Sequence, residues 1–470
     1  MSTVLINNPL LCCRIKENVN DENVLDTFSG GHIYIENNLI VSAGPEEFNG
    51  SGDKIIDASR MVVLPGFVNT HHHFFQTLTR NIFATQKSEL FDWLLTNYEI
   101  WRGIDGEGFY ISAKVAMAEL LKSGCTTTSD HLYLFPNQTE STLIDREIEA
   151  AQELGMRFQP TRGSMSLSKK DGGLPPDDVT QTETEIAADI DRLLEKYHDP
   201  NFGSMLKISL APCSPFSVTT ESMKETAEFA KKHNIQIHTH LAETIDEENF
   251  CIKKMGLRPF ELMESVDWIS ENAWFAHSIF LNDEEIEKAG KAKIGISHCP
   301  SSNMRLGSGI CRIKELLDTG VSVSLAVDGS ASNDSSNMLL ELRNAMLLSR
   351  LREPKYWLNT EEVLWMATVG GAKALGRNDI GQILPGKCAD ITMIDIDRLE
   401  YSGAQHDPAA AIIFNVAMSP VDYSIVNGKV VVENGEIVGL DEKDLVKRHQ
   451  RFSTDLVKKA EKKIGKKLRR

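Results

Sequence analysis

The residues best able to do chemistry in this chain stand at the ends of short apolar runs. Thr70-His71-His72-His73 follows the run 62–68. His238-Thr239-His240 closes the run 235–240, and Glu243 comes three residues later. Side chains two apart in an extended strand share a face, so His71 and His73 can reach one point while His72 points away; His238 lies one side-chain layer below His240. His277 follows the run 273–276, His298 the run 294–297 and Asp328 the run 321–327. Imidazoles and a carboxylate at such positions suit a borderline divalent cation, zinc before iron(II). Taken singly, a histidine after a strand is more often a hydrogen-bonded structural group, which is the plain reading of His238 and His298. A His-x-His, a His-x-x-Glu and a strand-end Asp occurring together point instead to a metal centre with a carboxylate beside it.

Such a cluster needs a scaffold that brings many strand ends to one place. The runs 62–68, 126–129, 158–161, 207–211, 235–240, 273–276, 294–297 and 321–327 alternate with amphipathic stretches such as 108–121, 183–194 and 223–232. Eight strand–helix units imply a (β/α)8 barrel, here over 65–375, whose working face is the C-terminal ends of its strands. Outside it the texture changes to short strands and turns. His32-Ile33-Tyr34-Ile35 and Leu39-Ile40-Val41 flank a turn at 36–38, and Asn427-Gly428 is a hairpin signal ahead of Lys429-Val430-Val431-Val432. The two β-rich ends, 1–64 and 376–440, are expected to form one small β-sandwich domain. The remainder, 441–470, is rich in Lys and Arg, with Leu445, Phe452, Leu456 and Ile464 interspersed. It reads as a solvated helix docked on the body by one apolar stripe, outside the barrel and dispensable for activity.

A net charge of −17 argues against general binding to nucleic acid or to an anionic membrane surface. The apolar runs, such as 409–416, are too short to span a bilayer. Positions 1–8 have neither a basic start nor an apolar core, so no secretory signal is expected. Eight cysteines with no Cys-x-x-Cys fit a reduced, cytoplasmic protein rather than a disulfide framework or a thiolate zinc site. The expected partners are a small molecule and water, with self-association into a homo-oligomer left open.

The string Pro65-Gly66-Phe67-Val68-Asn69-Thr70-His71-His72-His73 resembles the opening metal motif of the amidohydrolase superfamily. His240-Leu241-Ala242-Glu243-Thr244, His298-Cys299-Pro300-Ser301-Ser302-Asn303 and Val327-Asp328-Gly329-Ser330 resemble its later motifs, in the same order. The resemblance covers nearly the whole chain and falls in the branch of cytosine, guanine and adenosylhomocysteine deaminases and triazine hydrolases. Longer strings, Ser129-Asp130-His131-Leu132-Tyr133-Leu134-Phe135-Pro136, Arg162-Gly163-Ser164-Met165-Ser166 and 328–335, are most similar to the 8-oxoguanine deaminases. The resemblance implies His71, His73, His240 and Asp328 as metal ligands, Glu243 and Asp328 as proton carriers, and His277 as a polarising group. Binuclear members carry a carboxylated lysine after the fourth strand. Here Ser209-Leu210-Ala211-Pro212-Cys213 has none, which implies one metal per chain.

The implied reaction is hydrolytic removal of an amino group from a purine-like ring, 8-oxoguanine giving urate and ammonia. The alternatives are another ring (guanine, a pterin, cytosine, adenosylhomocysteine) or triazine hydrolysis. Gln76, three residues after His73, can donate and accept at once, as a lactam edge requires. Arg162 and Ser214, after the third and fourth runs, are further candidates for substrate contact; Arg162 reads equally well as an ion-pair partner, and Cys213 stands beside Ser214. Phe74, Phe75, Trp93 and Trp101 could stack on a flat ring or be plain packing. The His-x-Glu and Pro-Cys-x-x-Cys signature of zinc deaminases that act on nucleic acids is absent.

Overall fold

The computed structural model describes residues 2–416 and 418–470; Met1 and Ala417, both within the expected terminal β-domain, lie outside them. Eight parallel strands form one sheet in strict sequence order: β1 (Phe67–Asn69), β2 (Cys125–Leu132), β3 (Arg157–Ser164), β4 (Ser209–Pro212), β5 (Ile237–Leu241), β6 (Ala273–His277), β7 (Gly295–His298) and β8 (Ser322–Leu325). β8 lies against β1, and the seam is closed by hydrogen bonds just past the strands. Val327 N donates to Asn69 Oδ1 at 2.9 Å, and Asp328 N donates to His71 O at 3.1 Å. This is the (β/α)8 barrel, with helices between the strands. The strands are buried almost throughout, as parallel strands covered on both faces must be.

The run 62–68 is not one strand. It divides at Gly66, where a Cβ would stand 2.1 Å from Thr126 Oγ1. Before the glycine, Met61–Pro65 pairs antiparallel with Ile391–Asp395; after it, β1 joins the barrel. A run apolar throughout does not reveal such a hand-over, because both halves are buried.

Strands from both ends of the chain build two further sheets, one of four strands and one of seven. Their inner faces share one core, with Ile6, Ile33 and Ile56 from the first packed with Val63, Ile391 and Ile425 from the second. The turn at 36–38 joins His32–Glu36 to Leu39–Gly44, and Asn427-Gly428, both at positive φ, joins Tyr423–Val426 to Lys429–Glu433. The assembly is fastened to the barrel by Arg157, buried at the start of β3. Its Nε donates to Asp390 Oδ2 at 2.8 Å and its Nη2 to Asn427 Oδ1 at 3.0 Å. All eight cysteines are free and buried. Among the described residues no helix is long and apolar enough to cross a membrane.

The helices that matter for the site are α1 (Leu90–Trp101), α2 (Gly106–Lys122) and the C-terminal α3 (Glu442–Ile464). α3 has the expected stripe: Leu445 and Leu456 are buried, with Val457 and Ala460 beside them. It packs on α1, α2 and the short helical turn Phe74–Thr79, and Ser453 Oγ donates to Leu78 O at 2.6 Å. The stripe faces the segment that leaves the His71–His73 strand end.

Candidate active site

Each chemical side chain arrives at the barrel mouth from a strand end. His71 and His73 follow β1, His240 is in β5, His277 ends β6, and Asp328 follows β8. The chain turns sharply there. Ala242, His277, Ser278 and Asp328 all have positive φ, between 50° and 69°. That region is costly for side chains other than glycine and tends to persist at working sites, where surrounding structure enforces it. Glu247 helps to enforce it: its carboxylate accepts from Ala242 N at 2.9 Å and Glu243 N at 2.8 Å. Burial pushes its pKa up to about 7.

Hydrogen bonds fix which imidazole nitrogen carries a lone pair. His73 Nδ1 faces the His131 carbonyl oxygen at 2.9 Å, and His240 Nδ1 faces the Cys213 carbonyl oxygen at 2.6 Å. Each must donate, which leaves its Nε2 unprotonated in the neutral ring. His238 Nδ1 donates to Trp274 O at 2.8 Å, so its Nε2 accepts from His71 Nδ1, also at 2.8 Å. His71 Nε2 is then a bare acceptor, buried and without a hydrogen-bond partner. Burial pushes all three rings below the ordinary histidine pKa, His240 to about 3.

Three lone pairs therefore converge. His73 Nε2 and His240 Nε2 are 3.1 Å apart with no proton to share. Asp328 Oδ1 lies 3.4 Å from His71 Nε2 and 3.3 Å from His73 Nε2. Burial opposes ionisation of Asp328, and the surrounding histidines, His71 first, pull its pKa down to the extent that they carry protons. Four acceptors without a donor repel one another unless a cation sits among them. The set has the composition and convergence of a divalent-metal site, and its outer hydrogen bonds orient the imidazoles as such sites require.

Two further groups stand beside these four. Glu243 Oε2 is 3.6 Å from His277 Nε2, and Glu243 Oε1 accepts from Ser308 Oγ at 3.3 Å. Burial raises the Glu243 pKa. His277 Nδ1 donates to Asn303 Oδ1 at 3.0 Å, and its Nε2 lies 3.8 Å from Asp328 Oδ2. Burial disfavours its charge, yet Glu243 and Asp328 raise its pKa overall.

His73, His240, Glu243, His277 and Asp328 border one cavity at the barrel mouth. Gln76 is on its wall, packed against Gly329; a Cβ at Gly329 would lie 2.0 Å from Gln76 Oε1. Arg162 is not on the wall. Alternation along β3 turns it outward to the helix Glu183–Tyr197, where Nε donates to Asp189 Oδ2 at 2.6 Å, and to the segment before that helix, where Nη2 donates to Gln181 Oε1 at 2.8 Å. Its reading as an ion-pair partner replaces that of a substrate contact. Ser214 is also turned away, its Oγ 2.7 Å from Ser217 Oγ, and Cys213 takes the wall position. Of the four aromatic candidates Trp93 alone lines the cavity; Phe74, Phe75 and Trp101 are packing. His298 borders a separate crevice with Cys311 and Ile313. His72 bonds Ser336 Oγ at 2.9 Å. Tyr133, Ser332 and the α1 residues Leu90, Leu94 and Tyr98 also line the wall. None of these stands at the end of an apolar run; Tyr133 and Ser332 fall in the strings 129–136 and 328–335, and the α1 residues carry no signal in the sequence.

The amidohydrolase family model matches residues 62–431. The chain is 46% identical to the 8-oxoguanine deaminase of Pseudomonas aeruginosa over 97% of its own length and 100% of the relative. It is 33% identical to an isoxanthopterin deaminase from an unknown prokaryotic organism, over 87% of this chain and 88% of that one. Among solved structures it is similar to the atrazine chlorohydrolase TrzN of Arthrobacter aurescens TC1, solved with zinc, with a TM-score of 0.89 and 31% identity over 96% of this chain and 99% of that one.

Proposed function

The chain belongs to the amidohydrolase family and is a hydrolase of carbon–nitrogen bonds; from that premise we propose that it converts 8-oxoguanine and water to urate and ammonia. The 46% identity over the full length of an 8-oxoguanine deaminase carries the substrate assignment. The converging acceptors at the barrel mouth support the metal dependence. In this reading His71, His73, His240 and Asp328 hold one divalent ion, zinc by the chemistry of three imidazoles and a carboxylate. Bound there, the ion lowers the pKa of a coordinated water to about 7 and so supplies a nucleophile at neutral pH.

The chain's own groups carry the protons. Glu243, its pKa raised by burial, takes the proton that the attacking water gives up and passes it to a ring nitrogen beside the amino-bearing carbon, so that the ring accepts the electrons of the incoming oxygen. His277 presents Nε2 to the oxygen that becomes the new carbonyl; Asn303 fixes the ring by accepting from its Nδ1. Asp328, held ionised, takes the hydroxyl proton from the tetrahedral carbon and delivers it to the departing amino nitrogen. Gln76 reads the lactam edge of the ring. The experiment is ammonia release from 8-oxoguanine, guanine, isoxanthopterin, cytosine, adenosine and an aminotriazine under one condition. 8-Oxoguanine is expected to show the highest kcat/KM. A higher value for any other compound would move the substrate assignment to that ring and leave the reaction class standing.

A further inference from the structure

We infer that Trp93 determines specificity, its indole N–H donating a hydrogen bond to a carbonyl oxygen on the edge of the substrate remote from the scissile amino group. The inference rests on the proposed deamination of 8-oxoguanine and names what distinguishes that ring from guanine.

The observation is a mismatch in the cavity wall. Six polar side chains outside the cluster of histidines and carboxylates border the cavity: Gln76, Trp93, Tyr98, Tyr133, Cys213 and Ser332. Most are occupied. Tyr98 Oη donates to Met165 Sδ at 3.6 Å. Tyr133 is hydrogen-bonded to Gln76. Ser332 Oγ donates to Gly329 O at 3.1 Å, and Cys213 Sγ rests 3.9 Å from His240 Nδ1. Of these six side chains, two carry a buried atom with no hydrogen-bond partner among the described residues: Gln76 Oε1, an acceptor, and Trp93 Nε1, a donor. Both side chains are nearly wholly buried, Gln76 at 1% and Trp93 at 3% exposure. Buried donors in native proteins are almost always satisfied, and exceptions need an explanation. The neighbouring indole of Trp101 shows the ordinary case: its Nε1 donates to Thr79 Oγ1 at 2.9 Å.

Trp93 is also held firmly. It stands in the first turn of α1, its ring packed edge-to-face on Trp101 at 5.3 Å between centroids. A rigid donor selects for an acceptor at one position, since an indole has no second way to make its bond. In 8-oxoguanine the C8 carbonyl stands at the opposite end of the bicycle from the amino-bearing C2. Guanine presents a C–H at that place and would leave the indole N–H unpaired. The unpaired donor costs a discrimination of about ten- to a hundredfold.

The test is kcat/KM for 8-oxoguanine and for guanine in the wild type, Trp93→Phe and Trp93→His. Trp93→Phe removes the donor and keeps a flat ring; Trp93→His restores a ring N–H. The ratio of the two substrates is expected to fall by about ten- to a hundredfold in Trp93→Phe, through loss on 8-oxoguanine with guanine little changed, and to recover in part in Trp93→His. Equal losses on both substrates would mean that Trp93 only packs, and unchanged kcat/KM for both would mean that another group reads the carbonyl; either overturns the inference. Should Trp93→Phe fail to fold, Trp93→Leu is read in the same way. A wild type that does not prefer 8-oxoguanine over guanine overturns the substrate assignment itself and this inference with it. A wild-type preference that survives in the variant overturns the inference alone.

Discussion

At the residue scale the site works by tautomer. His71, His73 and His240 each spend Nδ1 on an acceptor behind them and turn a lone pair inward. Glu243 stands outside that set, bonded to Ser308 and facing His277. Glu243→Gln therefore separates holding the ion from moving the proton. The variant is expected to retain one divalent metal per chain by elemental analysis while kcat falls by about a hundredfold or more, the usual contribution of a positioned acid–base group. Loss of metal would make Glu243 a ligand, and near wild-type turnover would remove it from the proton path. Strand-end position made His71, His73, His240, Glu243, His277 and Asp328 readable in the sequence as one group, and the structure brings all six together. Arg162 and Ser214 were readable only as polar residues near strand ends. A strand end offers alternate residues to opposite faces, and a shift of one position exchanges wall for exterior. That shift selects Cys213 over Ser214. Asn303, Ser308 and Glu247 come from loops and helices whose path no periodicity records.

At the scale of elements, the C-terminal helix gains a docking place. Its apolar stripe was visible in the sequence; its docking place was not, since amphipathicity names a face and not the surface it meets. α3 holds the turn that carries Gln76 through two contacts, Ser453 with Leu78 and His449 Nε2 with Thr77 Oγ1 at 3.0 Å. Truncation after Leu440 is expected to lower the melting temperature and to reduce activity per folded molecule. Unchanged values for both would show that the turn holds itself. The contact also responds to pH. Burial, and next the charge of Arg80, depress the His449 pKa from 6.5 to about 4. A base whose pKa is depressed on folding takes up its proton more readily when unfolded. Its contribution to stability is therefore full above pH 6.5 and is lost as pH falls toward 4. Melting temperatures measured across that interval are expected to drop less steeply in His449→Gln than in the wild type; parallel curves would assign the acid sensitivity elsewhere.

At the scale of the whole molecule, barrel and terminal domain are separate in architecture but not in sequence. Alternating runs made the barrel readable, and the hairpins at 36–38 and Asn427-Gly428 made the β-domain readable. The hand-over at Gly66 was hidden because one apolar run serves two sheets. That hand-over has a temporal side. Val63 pairs with Met393, so the strand Met61–Pro65 is translated some 330 positions before its neighbour. At about 5–20 residues per second the wait is roughly a quarter of a minute to a minute. Throughout it a β-rich amino-terminal segment has a bare edge, the kind of surface that recruits other chains, while the barrel whose first strand begins two residues later is being made. Ribosome-bound chains arrested before and after position 395 make this visible. Protease should cut within the first 65 residues of the shorter chain and spare them in the longer one once its carboxy-terminal strand has cleared the exit tunnel. Protection already present in the shorter chain would mean that the amino-terminal strands find a provisional partner. In the expected case the enzyme's birth is governed by its last-made strands, and solubility during production depends on how quickly synthesis reaches them.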